Sequence, residues 1–128
     1  MQGVEMDSKI LISGVFFIFI LLSGFWLSHL GRPVNTILLT VHKLISVGAV
    51  VFLTINIYCI HLVSPLSPLE IAVSGGTILL FLVMVVTGGL LSVEKVMPEI
   101  VHKIHQFTPY LVILSTAATL YFLLIRKQ

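Results

Sequence analysis

The sequence predicts an all-α membrane protein, an up-down bundle of four transmembrane helices. Of its 128 residues, 58% are hydrophobic and only 9% are charged, whereas a soluble domain carries charge on about a quarter of its residues. The apolar residues fall into four runs, each long enough for the roughly 20 residues that a helix needs to cross a bilayer. The polar breaks are short, so consecutive helices should be antiparallel. We therefore expect one transmembrane domain over residues 1–128, surrounded by lipid.

The first predicted helix covers residues 10–30, an uncharged run that is longer than the apolar part of a typical signal peptide. We expect it to be retained as a membrane span. Gly31-Arg32-Pro33 interrupts the apolar run. The second predicted helix covers residues 36–63, and a turn with two prolines, Ser64-Pro65-Leu66-Ser67-Pro68, separates it from the third.

The third predicted helix covers residues 69–91 and the fourth covers residues 100–125. Met97-Pro98-Glu99 is typical of a helix start with proline in the first turn. We call the bilayer face at which the first helix begins side A, and the opposite face side B. Lys and Arg residues number three on side A and four on side B, which favours side B as the cytoplasmic face.

Four of the five histidines are predicted to lie at side B. His29 ends the first helix, His42 lies near the start of the second, and His102 and His105 lie near the start of the fourth. His61 lies by itself at side A. Ionisable residues within or at the edge of a membrane span are rare and usually functional, so the group at side B is the candidate site.

His42 and His105 are predicted to lie at the same depth, because each precedes the far end of its helix, at Val63 and Arg126, by 21 residues. The second and fourth helices of an up-down bundle are diagonally opposed, so their imidazoles can face each other across the bundle. Ligation of a b-type haem by two histidines requires this geometry. His102 shares the helix face of His105 one turn nearer to water, so either of them can be the second ligand.

Small and basic residues lie near this layer of the bundle. Gly24, Gly88 and Gly89 are expected to let the edge of a haem approach the backbone, although glycines also pack membrane helices together. Basic side chains at side B are expected to bind haem propionates or to extend to the lipid headgroups; they are Arg32, Lys43, Lys95 and Lys103. His61 has no histidine partner at side A, so we predict one haem per chain, with a second at His61 as the disfavoured alternative.

These motifs resemble those of four-helix membrane b-type cytochromes, such as the cytochrome b subunits of formate dehydrogenases and hydrogenases. The resemblance rests on Val41-His42-Lys43-Leu44, on Val101-His102-Lys103-Ile104-His105, and on His61 nineteen residues after His42. It implies a b haem bound by histidines and electron exchange with a quinone. The resulting hypothesis is electron transfer between the quinone pool and a redox partner or larger membrane complex, by an oxidoreductase or its electron-transfer subunit.

The sequence is also compatible with two other functions, a metal site and a membrane anchor. The motif Glu99-x-x-His102 puts a carboxylate and an imidazole on one helical face, and Glu94 and His29 could complete a metal site. The chain could instead anchor a larger complex in the membrane and bind no chromophore. Nucleic acid is not an expected partner, since the sequence has no basic run interleaved with aromatic residues.

Overall fold

The computed structural model describes residues 2–31, 33–93 and 96–126. Within these ranges the chain forms four α-helices and no strand: α1 (Gln2–Leu30), α2 (Thr36–Val63), α3 (Pro68–Leu91) and α4 (Glu99–Ile125). Each helix is long and apolar enough to cross a bilayer. The predicted four-helix, all-α fold is confirmed, and the chain is a multi-pass membrane protein.

The helix bounds agree closely with the predicted spans except at the start of α1. The bounds of α2 are as predicted, and α3 and α4 each begin one residue early. In contrast, α1 begins eight residues before the apolar run. An ion pair of 2.8 Å between Glu5 and Lys9, one turn apart, supports these polar turns. With 29 residues, α1 is roughly 44 Å long and exceeds the hydrocarbon thickness of about 30 Å.

Polar caps define the starts of α2 and α3. The Asn35 side chain accepts hydrogen bonds from the backbone N–H groups of Ile37 and Leu38, at 3.0 and 3.1 Å. At α3, the Ser67 hydroxyl accepts from the N–H of Glu70, and the Glu70 carboxylate accepts from the N–H of Ser67 at 2.7 Å. This reciprocal capping box fixes the short α2–α3 connection.

The helices form a ring in chain order. Among neighbouring helices, backbone contact is most extensive between α3 and α4, less so between α1 and α2 and between α2 and α3, and smallest between α1 and α4. Among the described residues, the diagonal pairs α1/α3 and α2/α4 make no close backbone contact. As the sequence predicts, α2 and α4 are therefore diagonally opposed in an up-down bundle.

The apolar core occupies the middle and the side-A end of the bundle. Its buried residues come from α1 to α4 and the α2–α3 loop: Ile10, Ile20, Ala49, Leu53, Ile57, Ile60, Leu66, Phe81, Val112 and Leu123. Arg126 closes the side-A end, because its guanidinium contacts the Glu70 carboxylate at 3.2 Å and donates to the carbonyl of Pro65 at 2.8 Å. The end of α4 is thus tied to the α2–α3 loop.

Candidate functional site

His42 lies in the second turn of α2 and is half-buried against α1. Its ring packs on the backbone of Gly24, where an added Cβ atom would lie 3.1 Å from the Cε1 atom of the imidazole. That distance is shorter than ordinary van der Waals contact, so a side chain at position 24 would press on the ring. The Ser23 hydroxyl lies 2.7 Å from Nδ1 of His42. Helix α1 thus holds this imidazole through the Ser23 hydroxyl and through contact with the backbone at Gly24.

His105, in the second turn of α4, is half-buried against α3 in the same way. An added Cβ atom at Gly88 would lie only 2.9 Å from Cε1 of the His105 ring. The Thr87 hydroxyl lies 2.9 Å from Nδ1 of His105. Proline at position 109 has no N–H, so the backbone carbonyl of His105, four residues earlier, loses its helical donor.

The two helical hairpins, α1–α2 and α3–α4, therefore share one arrangement. In each hairpin, a hydroxyl residue followed by a glycine on the first helix holds a histidine near the start of the second helix. Because α2 and α4 run in the same direction, both imidazoles lie in the side-B half of the bundle.

The side-B end of the bundle is packed less tightly than the rest. In the described parts of the helices, no residue of 21–30, 36–48 or 99–107 is buried, whereas the side-A ends contain several buried side chains. The change occurs at the layer of Thr87 and Thr108, which are buried. The two imidazoles thus lie at the end of the bundle where the described helix residues are only partly buried or exposed.

The structure does not bring the other predicted histidines to this pair. His102 is exposed one turn nearer to side B, while His105 is half-buried. His29 is exposed and lies beside an aromatic ring of its own helix, with ring centroids 4.3 Å apart. At side A, His61 is exposed, and its Nδ1 accepts a hydrogen bond from the N–H of Leu66 at 3.1 Å.

The basic residues that the structure describes at side B have protein partners. Lys43 donates from Nζ to the Ser92 hydroxyl at 2.6 Å, which joins the start of α2 to the end of α3. Lys103 pairs with Glu99 at 2.9 Å on the exposed face of α4. The remaining two basic residues of the predicted set lie outside the described residues: Arg32 and Lys95.

The predicted alternative of a metal site has less support. The Glu99 carboxylate contacts Lys103, and across the described residues no three His, Cys, Asp or Glu side chains are grouped as a metal ion would require. Glu94, a suggested member of that site, lies outside the described residues.

Gly89, predicted to border a haem, has open space around the position of a Cβ atom.

A groove of about 590 Å³ lies between α1 and α2 at side B, and some of its lining side chains, such as Phe19 and Trp26, are exposed. Its walls are almost entirely apolar and include Phe19, Trp26 and Ile45, with His29 as a polar member. Ser23 also lines the groove, so a single side chain separates the groove from the His42 ring.

Two residues of the site were missed by sequence reasoning, Ser23 and Thr87. A signal for them exists, because each directly precedes a glycine and lies 19 or 18 residues before the histidine that it contacts. That signal is weak in a membrane protein, where Ser, Thr and Gly are common at helix contacts.

Comparison with known proteins gives no match. No protein-family model matches the sequence. Searches of curated proteins and of solved structures also find no match.

Proposed function

We propose that the chain is a membrane b-type cytochrome that holds one haem near side B, and that His42 and His105 would bind its iron. The observation that carries this proposal is the pair of half-buried imidazoles on the diagonal helices α2 and α4, each fixed by the neighbouring helix. Imidazole nitrogens are common ligands of haem iron, and these two residues would supply a pair of them.

The surroundings of the pair fit a large flat cofactor. The chain packs its apolar core elsewhere, so the interior at this end is free of buried apolar side chains in the described residues. Gly24 and Gly88 let each imidazole lie directly against a helix backbone, where a larger residue would press on the ring. A bound haem would supply one-electron oxidation and reduction, and the residues of this chain would hold and orient it and exclude water.

Electron exchange with a lipid-soluble quinone and with a redox partner completes the proposal. The apolar groove on α1 and α2 opens to the lipid and reaches Ser23, which touches His42. A carrier in this groove would be close to the ligand without crossing the bilayer. Lys43 and Lys103 at side B would provide positive charge for propionates or for a docked acidic partner.

An absorption spectrum of the detergent-purified protein tests the haem directly. The chain is expressed with haem supplied and compared in the oxidised and dithionite-reduced states. We expect a sharp reduced α-band typical of a b haem. The band should be lost in both His42→Ala and His105→Ala, since a six-coordinate haem needs both ligands.

His102→Ala is the matched control, because it removes an imidazole from the same helix three residues away. It should keep the band, and circular dichroism should show that all three variants keep their helical content. A colourless wild-type protein would overturn the proposal. A band that survives His105→Ala and disappears in His102→Ala would overturn the ligand assignment.

A further inference from the structure

Each hydroxyl that touches an imidazole also touches a backbone carbonyl of its own helix. Ser23 Oγ lies 2.7 Å from Nδ1 of His42 and 3.0 Å from the carbonyl oxygen of Ile20. Thr87 Oγ1 lies 2.9 Å from Nδ1 of His105 and 2.7 Å from the carbonyl oxygen of Val83. Both hydroxyls are therefore placed between a carbonyl and an imidazole nitrogen.

Counting protons gives the direction of these hydrogen bonds. A hydroxyl has one proton to donate, and a carbonyl oxygen can only accept. If the hydroxyl donates to the carbonyl, its oxygen can accept a hydrogen bond from Nδ1–H, and both short contacts are hydrogen bonds. If it donates to Nδ1 instead, two oxygens with lone pairs face each other at 2.7 to 3.0 Å. The first arrangement is the favourable one at both sites.

We propose that Ser23 and Thr87 are positioning residues that fix His42 and His105 as the Nδ1–H tautomer. A neutral imidazole protonated on Nδ1 carries its free lone pair on Nε2. Hydrogen bonding of one ring nitrogen is how proteins orient histidine ligands and raise their basicity. The role of these tautomers in binding haem rests on the proposed function. The tautomers themselves are expected in the protein without haem.

Nitrogen NMR of the full-length protein, labelled with ¹⁵N-histidine and prepared in detergent without haem, measures the tautomers. At a pH where the rings are neutral, His42 and His105 should show a protonated Nδ1 and an unprotonated Nε2. His61 is an internal control with the opposite tautomer. Its Nδ1 accepts a hydrogen bond from the N–H of Leu66, so the proton of the neutral ring must be on Nε2. Single His→Gln variants assign the signals.

Variants that remove one hydroxyl test whether each tautomer depends on the hydroxyl that contacts the ring. Ser23→Ala should change the signals of His42 only, and Thr87→Ala those of His105 only. Ser23→Thr and Thr87→Ser keep a hydroxyl and should restore the wild-type signals. Finding Nε2–H on His42 or His105 in the wild type, or unchanged signals in the alanine variants, would overturn the inference.

The haem-loaded protein gives a second, separate readout. Loss of either hydroxyl should weaken haem binding on the order of 10-fold. It should also raise the reduction potential, because a less basic ligand stabilises oxidised iron less. The conservative variants should restore both values, and a potential that the alanine variants leave unchanged would refute a tuning role. A colourless wild type with the expected tautomers would reject the cytochrome proposal and leave the tautomer assignment intact.

Discussion

His42 and His105 differ from the other histidines in what touches them, and not in their sequence context. The local motif Val-His-Lys relates His42 to His102, whereas the burial and the glycine and hydroxyl contacts relate His42 to His105. The difference arises because a residue three positions further along a helix keeps nearly the same face and lies one turn deeper. A count of depth distinguishes the two candidates, while the motif does not. That the buried pair binds haem stays a prediction.

The contacts of Ser23 and Thr87 could not be derived from the sequence, since they depend on how α1 and α3 are rotated about their axes. The sequence places both residues at the right depth but does not say which neighbour they face. Gly24 and Gly88 show the same limit. We expected them to border a haem, and in the structure an imidazole lies against each of them.

Gly88→Ala should impair the site although alanine favours a helix. In an ordinary helical position the change would stabilise the helix by about 1 kcal/mol. At Gly88 the new methyl group would lie 2.9 Å from the His105 ring and displace it. We expect haem retention to fall about 10-fold, by analogy with the loss of a residue that orients a ligand. The haem-to-protein ratio after purification measures this effect.

Gly89→Ala is the control, because the adjacent position has open space around a Cβ atom. It should retain haem like the wild type. Equal retention in the Gly88 and Gly89 variants would mean that the contact with the His105 ring does not matter for binding.

At the scale of the helices, hydropathy predicted the spans and missed only what lies outside the bilayer. The run of α2 lies between two breaks that contain proline, Pro33 and Pro65, so its bounds were predicted to the residue. The helix α1 begins before its predicted span, because hydropathy detects only the apolar run, while the helix also includes the polar turns of Glu5 and Lys9. Hydropathy also says nothing about how one helix packs on its neighbour.

The α3–α4 contact is an example of such packing. Thr77 is fully buried, and its hydroxyl contacts the Thr119 hydroxyl at 2.8 Å and the Ser115 carbonyl at 3.1 Å. It also contacts the Ser115 hydroxyl. Small hydroxyl side chains allow close approach of membrane helices and supply hydrogen bonds across the contact. This fits the presence of buried threonines in the helix pair that has the most extensive contact.

Thr77→Val should destabilise the bundle with little effect on the haem site. The change keeps the shape of the side chain and removes its hydrogen bonds to α4. An interhelical hydrogen bond in a membrane contributes about 0.6 kcal/mol on average and up to about 1.7, so we expect a loss of about 1 kcal/mol in the free energy of unfolding. Unfolding in mixed detergent micelles, followed by circular dichroism, measures it.

Thr54→Val is the matched control for Thr77→Val. The exposed Thr54 hydroxyl bonds a carbonyl of its own helix, at 2.8 Å, so its loss removes no contact between helices. The control should unfold like the wild type. If the two variants are equally stable, the hydroxyl contacts between α3 and α4 contribute nothing.

For the whole molecule, the main feature is the difference between the two ends of the bundle. At side A, Arg126, Glu70 and the α2–α3 loop close the interior over a buried apolar core. At side B, the helices carry two half-buried imidazoles and no buried side chain in the described residues beyond the layer of Thr87 and Thr108. The sequence predicts the histidines at side B, but the uneven burial of side chains along the bundle appears only once the helices are assembled.

This asymmetry leads to the expectation of one haem per chain. His61 is exposed, its Nδ1 is occupied by the Leu66 N–H, and the side-A interior near it contains Ile57, Ile60 and Leu123. His61→Ala should therefore keep the full α-band and a haem-to-protein ratio of one. Pyridine haemochrome measurement, with protein quantified by amino-acid analysis, gives this ratio. A wild-type ratio of two that falls to one in the variant would instead locate a second haem at side A. That result would require the Leu66 contact to break and the side-A core to repack, so it would also change the stability of the bundle.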